Sequence, residues 1–255
     1  MNIREERKRR FELVIFDLGE TLIYFDGDLE EVVYESNQQL YQGLRNAGFD
    51  LEKTAFIRDF HNQMVVYQAR RKTDCKEHTT ESVLRKVLEG WGYPNLEKED
   101  ISPVIAGMYA VSQKHWHVEP DAITTLESLK RDGYKIGLIS NAADDQDVQT
   151  LIDQANIRSY FELIMTSAAQ GIRKPDPYMF QKALDFWNLK PSQAVMVGDT
   201  LNADILGANQ VGIFSVWINR RVDTEKLTPA DKKIQPEAII SDLGELSGLL
   251  ENFQW

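Results

Sequence analysis

From about residue 118 onward the chain alternates between two textures, and that alternation restricts the fold more than any other feature. Short apolar runs rich in β-branched residues occur at Ile136–Ile139, Leu163–Met165, Val195–Val197, Ile213–Ile218 and Ala238–Ile240, and an earlier one at Leu13–Phe16. Runs this short, apolar almost throughout, suit strands covered on both faces, as in a parallel sheet. Helical stripes separate most of them: Ile123, Leu126 and Leu129; then Val148, Leu151, Ile152 and Ala155; then Ala183, Leu184 and Trp187. Strand–helix alternation of this kind predicts an α/β fold with a doubly wound parallel sheet. Leu243, Leu246, Leu249 and Leu250 predict a final helix packed on the core.

Residues 25–117 break the alternation. Four apolar faces follow one another at helical spacing. They are Val33, Leu40 and Leu44; Phe56, Phe60, Met64 and Tyr67; Val83, Leu84, Val87, Leu88 and Trp91; and Ile101, Val104, Ile105 and Met108. Gly48, Asp74 and Tyr93-Pro94-Asn95 mark the breaks. The pattern predicts about four helices and no clear strand, inserted after the first core strand. The expected division is a core of residues 1–24 and 118–255 and a helical cap of residues 25–117. Both ends of the insert return to the sheet, so it can sit over the strand ends as a lid.

Composition narrows the function classes. With 29 Lys and Arg against 40 Asp and Glu, the net charge is −11. A nucleic-acid binder needs a cationic face, so no nucleic-acid partner is expected. No run approaches the ~18 apolar residues of a membrane span, so no membrane partner is expected either. The start, MNIREERKRRFELVIF, has too short an apolar run for a signal segment. Cys75 stands alone, so no disulfide can form within the chain. These features predict a soluble, cytoplasmic protein. A monomer or homodimer is expected, though no sequence feature chooses between them.

In an open α/β sheet the ligand sits beyond the carboxyl ends of the strands. Asp17, Leu18, Gly19, Glu20 and Thr21 follow the first run, and Ser140 and Asn141 the second. A later loop holds Arg173, Lys174, Pro175, Asp176 and Pro177; Gly198, Asp199 and Asp204 follow Val195–Val197. Three clustered carboxylates repel unless a cation joins them. An all-oxygen set suits Mg²⁺, and the neutralised site then accepts a phosphate dianion.

These residues are where a resemblance enters. FDLGETL resembles the first motif of the haloacid dehalogenase-like (HAD) hydrolases, LISN the second, RKPDP the third and VGDTLNADILGA the fourth. They come in family order over residues 12–214, with a helical insert where subclass-I members carry their cap. The resemblance implies a Rossmann-like core and Mg²⁺-dependent hydrolysis of a small phosphorylated metabolite. It implies Asp17 as nucleophile, forming an aspartyl-phosphate that water hydrolyses. It implies Asp17, the Gly19 carbonyl, Asp199 and Asp204 around the metal, Ser140, Asn141 and Lys174 around the phosphate, and Lys174 stabilising charge on Asp17.

One position departs from the pattern. Most phosphatases of the family carry a second Asp two residues after the nucleophile, which protonates the leaving oxygen; here it is Gly19. In an extended segment Glu20 points away from Asp17, so it is a poor substitute. Leaving groups that tolerate poor protonation, such as anomeric sugar phosphates and aryl phosphates, should fare best. The gap also leaves open a 2-haloacid dehalogenase, whose halide needs no proton, and a phosphonatase, which needs a Schiff-base lysine such as Lys53, Lys72 or Lys76. A non-catalytic binding or regulatory protein is the other alternative, against which three clustered acids argue.

The remaining features have plainer readings. His115-Trp116-His117 lacks a third ligand nearby and leads back toward the sheet. Cys75 reads as a loop thiol beside Lys76. Arg70-Arg71-Lys72 is either a solvated helix end or a contact for an anionic substrate, and Tyr24 is a candidate for lining the pocket.

Overall fold

Leu13 and Ile15 bury one face of a strand while Val14 and Phe16 bury the other, so the opening apolar run is sealed on both sides. The computed structural model describes residues 10–71 and 74–253. Its strands are β1 (Leu13–Phe16), β2 (Ile23–Phe25), β3 (Trp116–Val118), β4 (Lys135–Ser140), β5 (Leu163–Thr166), β6 (Ala194–Gly198), β7 (Phe214–Ile218) and β8 (Ala238–Ile240). Its helices are α1 (Leu29–Asn46), α2 (Lys53–Arg70), α3 (Thr80–Gly90), α4 (Lys98–Ser112), α5 (Ala122–Arg131), α6 (Asp145–Gln154), α7 (Ser167–Gln170), α8 (Pro177–Trp187), α9 (Leu206–Val211) and α10 (Glu245–Glu251).

Six strands form one sheet in the order β5-β4-β1-β6-β7-β8, and every neighbouring pair is parallel. The fold is α/β, with helices on both faces. Leu126, Leu129, Val148, Leu151, Ile152, Leu246 and Leu250 pack on the face that carries Val14 and Phe16. Met179, Phe180, Ala183, Leu184 and Ala208 pack on the other. The chain runs outward from β1 through β4 to β5, then returns to β6 on the opposite side of β1. The order therefore reverses between β1 and β6, and such a reversal opens a crevice at the carboxyl ends of the strands.

Helices α1–α4 bury a core of their own, with Leu40, Leu44, Phe56, Phe60, Leu84, Leu88, Ile101 and Ile105 at its centre. Asp28 caps α1 by accepting from the amides of Glu30 and Glu31, both at 3.0 Å. Two expected facing residues differ. Val32 is buried and Val33 is 42% exposed; Ile123 also faces outward, at 37%. Adjacent helical positions lie about 100° apart, so one of two neighbouring apolar letters can fall outside the buried stripe, as Val33 and Ile123 do.

The region expected to hold only helices also takes part in a ribbon. β2 and β3 pair antiparallel, Phe25 opposite Trp116 and Ile23 opposite Val118. The ribbon spans both expected boundaries, at 24/25 and at 117/118. Strands of three residues are too short to display a period, which is why pattern alone does not reveal them. Among the described residues no helix is long and apolar enough to cross a membrane. Lys72 and residues 1–9, with most of the charged N-terminal run, lie outside the described residues.

Candidate active site

The crevice between β1 and β6 is bracketed by Asp17 and Asp199, each directly after its strand. The Asp17 amide bonds to the Val197 carbonyl at 2.9 Å, continuing the pairing of the two strands to the rim. Asp17, Asp199 and Asp204 each offer a carboxylate oxygen, and these oxygens lie within 4.8 Å of one another. Among the described residues this is the one cluster of three metal-ligating side chains; His115 and His117 belong to none.

Asp204 reaches the crevice from the π-helical turn Leu201–Ile205. Its Oδ2 accepts from the Thr200 amide at 3.0 Å. The close approach requires Gly198: a Cβ there would lie 2.4 Å from Asp204 Cγ, well inside contact distance. Asp199 is held from behind, its carbonyl accepting from Trp217 Nε1 at 2.7 Å.

Lys174 is the cation of the group. Its Nζ donates to Asp17 Oδ1 at 2.7 Å and to the Ile139 carbonyl at 2.7 Å. It also forms an ion pair at 2.6 Å with Asp204 Oδ1, a buried oxygen with no other partner among the described residues. Its side chain is 1% exposed. Burial acts to lower the Lys174 pKa, but the charges of Asp17 and Asp204 outweigh it and the net shift is upward. The ammonium is therefore a fixed positive charge.

Three carboxylates against one ammonium leave two surplus negative charges. Burial, then the charges of Asp17 and Asp204, push Asp199 well above the usual carboxylate range. Burial likewise pushes Asp204 up to about 6, against the pull of Lys174. The donor set is all oxygen and short of positive charge, which fits a hard divalent cation such as Mg²⁺.

Ser140 ends β4, the strand beside β1, and is buried at the same rim. Asn141 has a task the sequence did not reveal. Its Nδ2 donates to the Lys174 carbonyl at 2.9 Å, and its Oδ1 accepts from the Lys174 amide at 2.8 Å. Gly19 sits in a tight turn in which the amides of Leu22 and Ile23 return to the Leu18 carbonyl. Glu20 adopts the left-handed region, φ 55°, and its Oε1 accepts from the Phe25 amide at 3.2 Å. The Glu20 carboxylate is thus turned onto β2, and burial raises its pKa.

A second buried network joins the insert to the loop before Lys174. Glu77 lies between α2 and α3 with its side chain fully buried. It accepts from Tyr67 Oη, from Ser167 Oγ at 2.5 Å and from Arg173 Nη1 at 3.0 Å. The main chain follows suit: the Glu77 amide bonds to the Gly171 carbonyl at 3.0 Å and the Arg173 amide to the Cys75 carbonyl at 2.9 Å. No periodicity marks a lone loop glutamate, so sequence reasoning missed it. Burial, then Asp176 and Asp74, raise the Cys75 thiol pKa, so it is not an activated thiol. Lys53 and Lys76 are exposed, without the desolvation that a Schiff-base lysine requires. The Arg71 guanidinium lies over its own helix's Tyr67 ring, at 5.7 Å, and that of Arg221 over Tyr24, at 3.8 Å.

A family model for haloacid dehalogenase-like hydrolases matches residues 11–212. A glyceraldehyde 3-phosphate phosphatase from Pyrococcus furiosus is 35% identical over 52% of this chain, but the match spans only 54% of that enzyme's length. A ribulose-1,5-bisphosphate 5-phosphatase from Halopiger xanaduensis is 32% identical over 93% of this chain and 98% of its own. Two solved structures superpose with TM-scores of 0.65. One is a HAD phosphatase from Thermococcus onnurineus, at 24% identity over 94% and 98% of the two chains. The other is a 2-haloacid dehalogenase from Pseudomonas syringae, at 25% identity over 95% and 99%.

Proposed function

The chain belongs to the haloacid dehalogenase-like hydrolases, and from that premise we propose that it is a Mg²⁺-dependent phosphatase of a small phosphate monoester. The observation that carries this reading is Lys174, locked between Asp17 and Asp204 with Asp199 alongside, at the crevice of the sheet. The curated relatives named as phosphatases support it.

In this reading Asp17 attacks phosphorus, the bond to the ester oxygen breaks, and an aspartyl-phosphate forms. Water then attacks that phosphorus, releasing inorganic phosphate and restoring Asp17. Lys174 donates to Asp17 and offsets the charge gathering there, its ammonium held in place by Ile139 and Asp204. Ser140 donates to the phosphoryl oxygens from the neighbouring strand end. Asn141 keeps the Lys174 main chain in register. Asp17, the Gly19 carbonyl and Asp199 would hold Mg²⁺, with Asp204 supporting them. When bound, the ion supplies the positive charge that lets a phosphate dianion approach three carboxylates. The α1–α4 insert acts as a cap over the strand ends, excluding water and selecting the leaving group. The core–cap division at 24/25 and 117/118 belongs to this reading, as does a cytoplasmic setting.

A dehalogenase reading draws on Gly19 and on the Pseudomonas syringae likeness. It leaves Asp199 and Asp204 clustered with no task. The test is direct. Wild-type protein should hydrolyse p-nitrophenyl phosphate with Mg²⁺, lose activity to EDTA and regain it on adding Mg²⁺. Asp17→Asn should abolish turnover. Retained turnover in that variant refutes the covalent route, and halide release from 2-chloropropionate without metal favours the dehalogenase.

A further inference from the structure

We propose that the indole of Trp116 fills the space of a residue-19 side chain, and that this substitution of a ring for a carboxyl restricts the enzyme to weakly basic leaving groups such as phenols. The inference rests on the phosphatase reading and narrows its substrate class.

The geometry is specific. A Cβ built on Gly19 would lie 3.4 Å from Trp116 Cη2 and 3.6 Å from Cζ3. That is ordinary contact for a methyl group. Each further bond adds about 1.5 Å, so a carboxyl directed the same way would run into the ring. The ring is not free to step aside. β3 pairs Trp116 with Phe25, whose ring meets the indole edge-on at 5.4 Å, and Trp116 also packs on the main core.

The ring also stands beside the loop that follows Asp17. Gly19 is two residues beyond Asp17 and enters the turn that the Leu22 amide closes on the Leu18 carbonyl at 2.8 Å, and the indole lies against it there. Among the described residues of this loop, no carboxyl stands free to supply the missing proton. Leu18 is apolar and buried, and the Glu20 carboxylate is committed to the Phe25 amide. The Tyr24 ring lies under the Arg221 guanidinium. The leaving oxygen thus departs beside an apolar ring with no side-chain acid. Esters of strongly basic alcohols need that acid, and esters of weakly basic ones do not.

The test uses wild type, Gly19→Asp, Trp116→Ala and the double variant. kcat/KM is measured, with Mg²⁺, for aryl phosphates of graded phenol pKa and for one alkyl phosphate. For wild type and Gly19→Asp, kcat/KM should fall steeply with leaving-group pKa. In the double variant the slope should flatten, with a gain of at least about a hundredfold on the alkyl ester relative to Trp116→Ala. A shallow wild-type slope, or flattening by Gly19→Asp alone, overturns the proposal. Occupancy of the position is read separately from stability, with Gly19→Ser, one atom longer than the methyl group that fits, covering the case in which Gly19→Asp does not fold. Gly19→Asp should lower Tm in the wild-type background and not in Trp116→Ala; equal losses in both refute the packing claim. A wild type inert toward every ester would instead sink the phosphatase reading, while the stability cycle still decides whether Trp116 fills the position.

Discussion

The side-chain amide of Asn141 grips the peptide of Lys174 from both ends, donating to its carbonyl at 2.9 Å and accepting from its amide at 2.8 Å. Two bonds of this kind do for the Lys174 loop what a strand neighbour would do. Asn141→Ala removes both. Each net hydrogen bond contributes about 1 kcal/mol, so a stability loss of about 1–3 kcal/mol is expected. kcat on p-nitrophenyl phosphate should fall about ten- to a hundredfold as the Lys174 ammonium loses its fixed position. Urea unfolding and steady-state kinetics check the two effects. An unchanged kcat would show that Lys174 is held without the clasp.

The carboxylate cluster predicts a thermal response to metal. A ligand at a hundred times its Kd stabilises by about 2.7 kcal/mol, which for a chain of this size is a rise in Tm of about 5–10 °C. Saturating Mg²⁺ should produce that rise in wild type and not in Asp199→Asn. Without metal the same variant should melt above wild type, because it removes one of three mutually repelling charges. Differential scanning fluorimetry with and without EDTA measures both.

Glu77 and Arg173 form a buried pair, their side chains 0% and 12% exposed. Glu77→Ala leaves the guanidinium unmatched and should cost about 3–5 kcal/mol. Combining it with Arg173→Met should cost less than the two single losses added together. Urea midpoints for the four proteins close the cycle, and strict additivity would show that the pair is not coupled.

Asp147 gives a pH prediction. Burial pushes its carboxyl up to about 6; a hydrogen bond from Gln113, at 2.8 Å, acts against this, and the charge of Asp144 adds to it. Its unfolded value is about 4. The folded state therefore holds the proton more tightly, and Asp147 stabilises fully below about pH 4. That contribution is lost as pH rises through about 6, by at most about 3 kcal/mol. Asp147→Asn should match wild type near pH 4 and exceed it above pH 6. Tm measured across pH 4–7.5 tests the sign, and a constant offset would reject it.

The sheet was legible because a strand buried on both faces must be apolar along its length, and Leu13–Phe16 shows this without context. The final helix was legible through Leu243, Leu246 and Leu250, all buried. The acids and Lys174 were suggested by their places after strands, since strand ends of a parallel sheet share one rim. What stayed hidden depends on contacts between distant segments. Trp116 matters for what it covers, Glu77 for the arginine it meets, and Asn141 for the peptide it holds. None leaves a period or a spacing behind. The β2–β3 ribbon escaped for a different reason, its three-residue strands being shorter than any repeat they could display.

The insert is attached at more than its two chain ends. Main-chain bonds from Cys75 and Glu77 to residues 171–173 form a third anchorage, directly beside Lys174. A lobe joined only at its ends pivots on them; one clipped at a further point must unclip before it swings. Linkage then works in both directions. Any molecule that prefers the released arrangement loosens the lysine loop by the same factor that the clip weakens its binding. On the proposed phosphatase reading, release of the insert to admit substrate and the placing of the Lys174 charge are a single equilibrium.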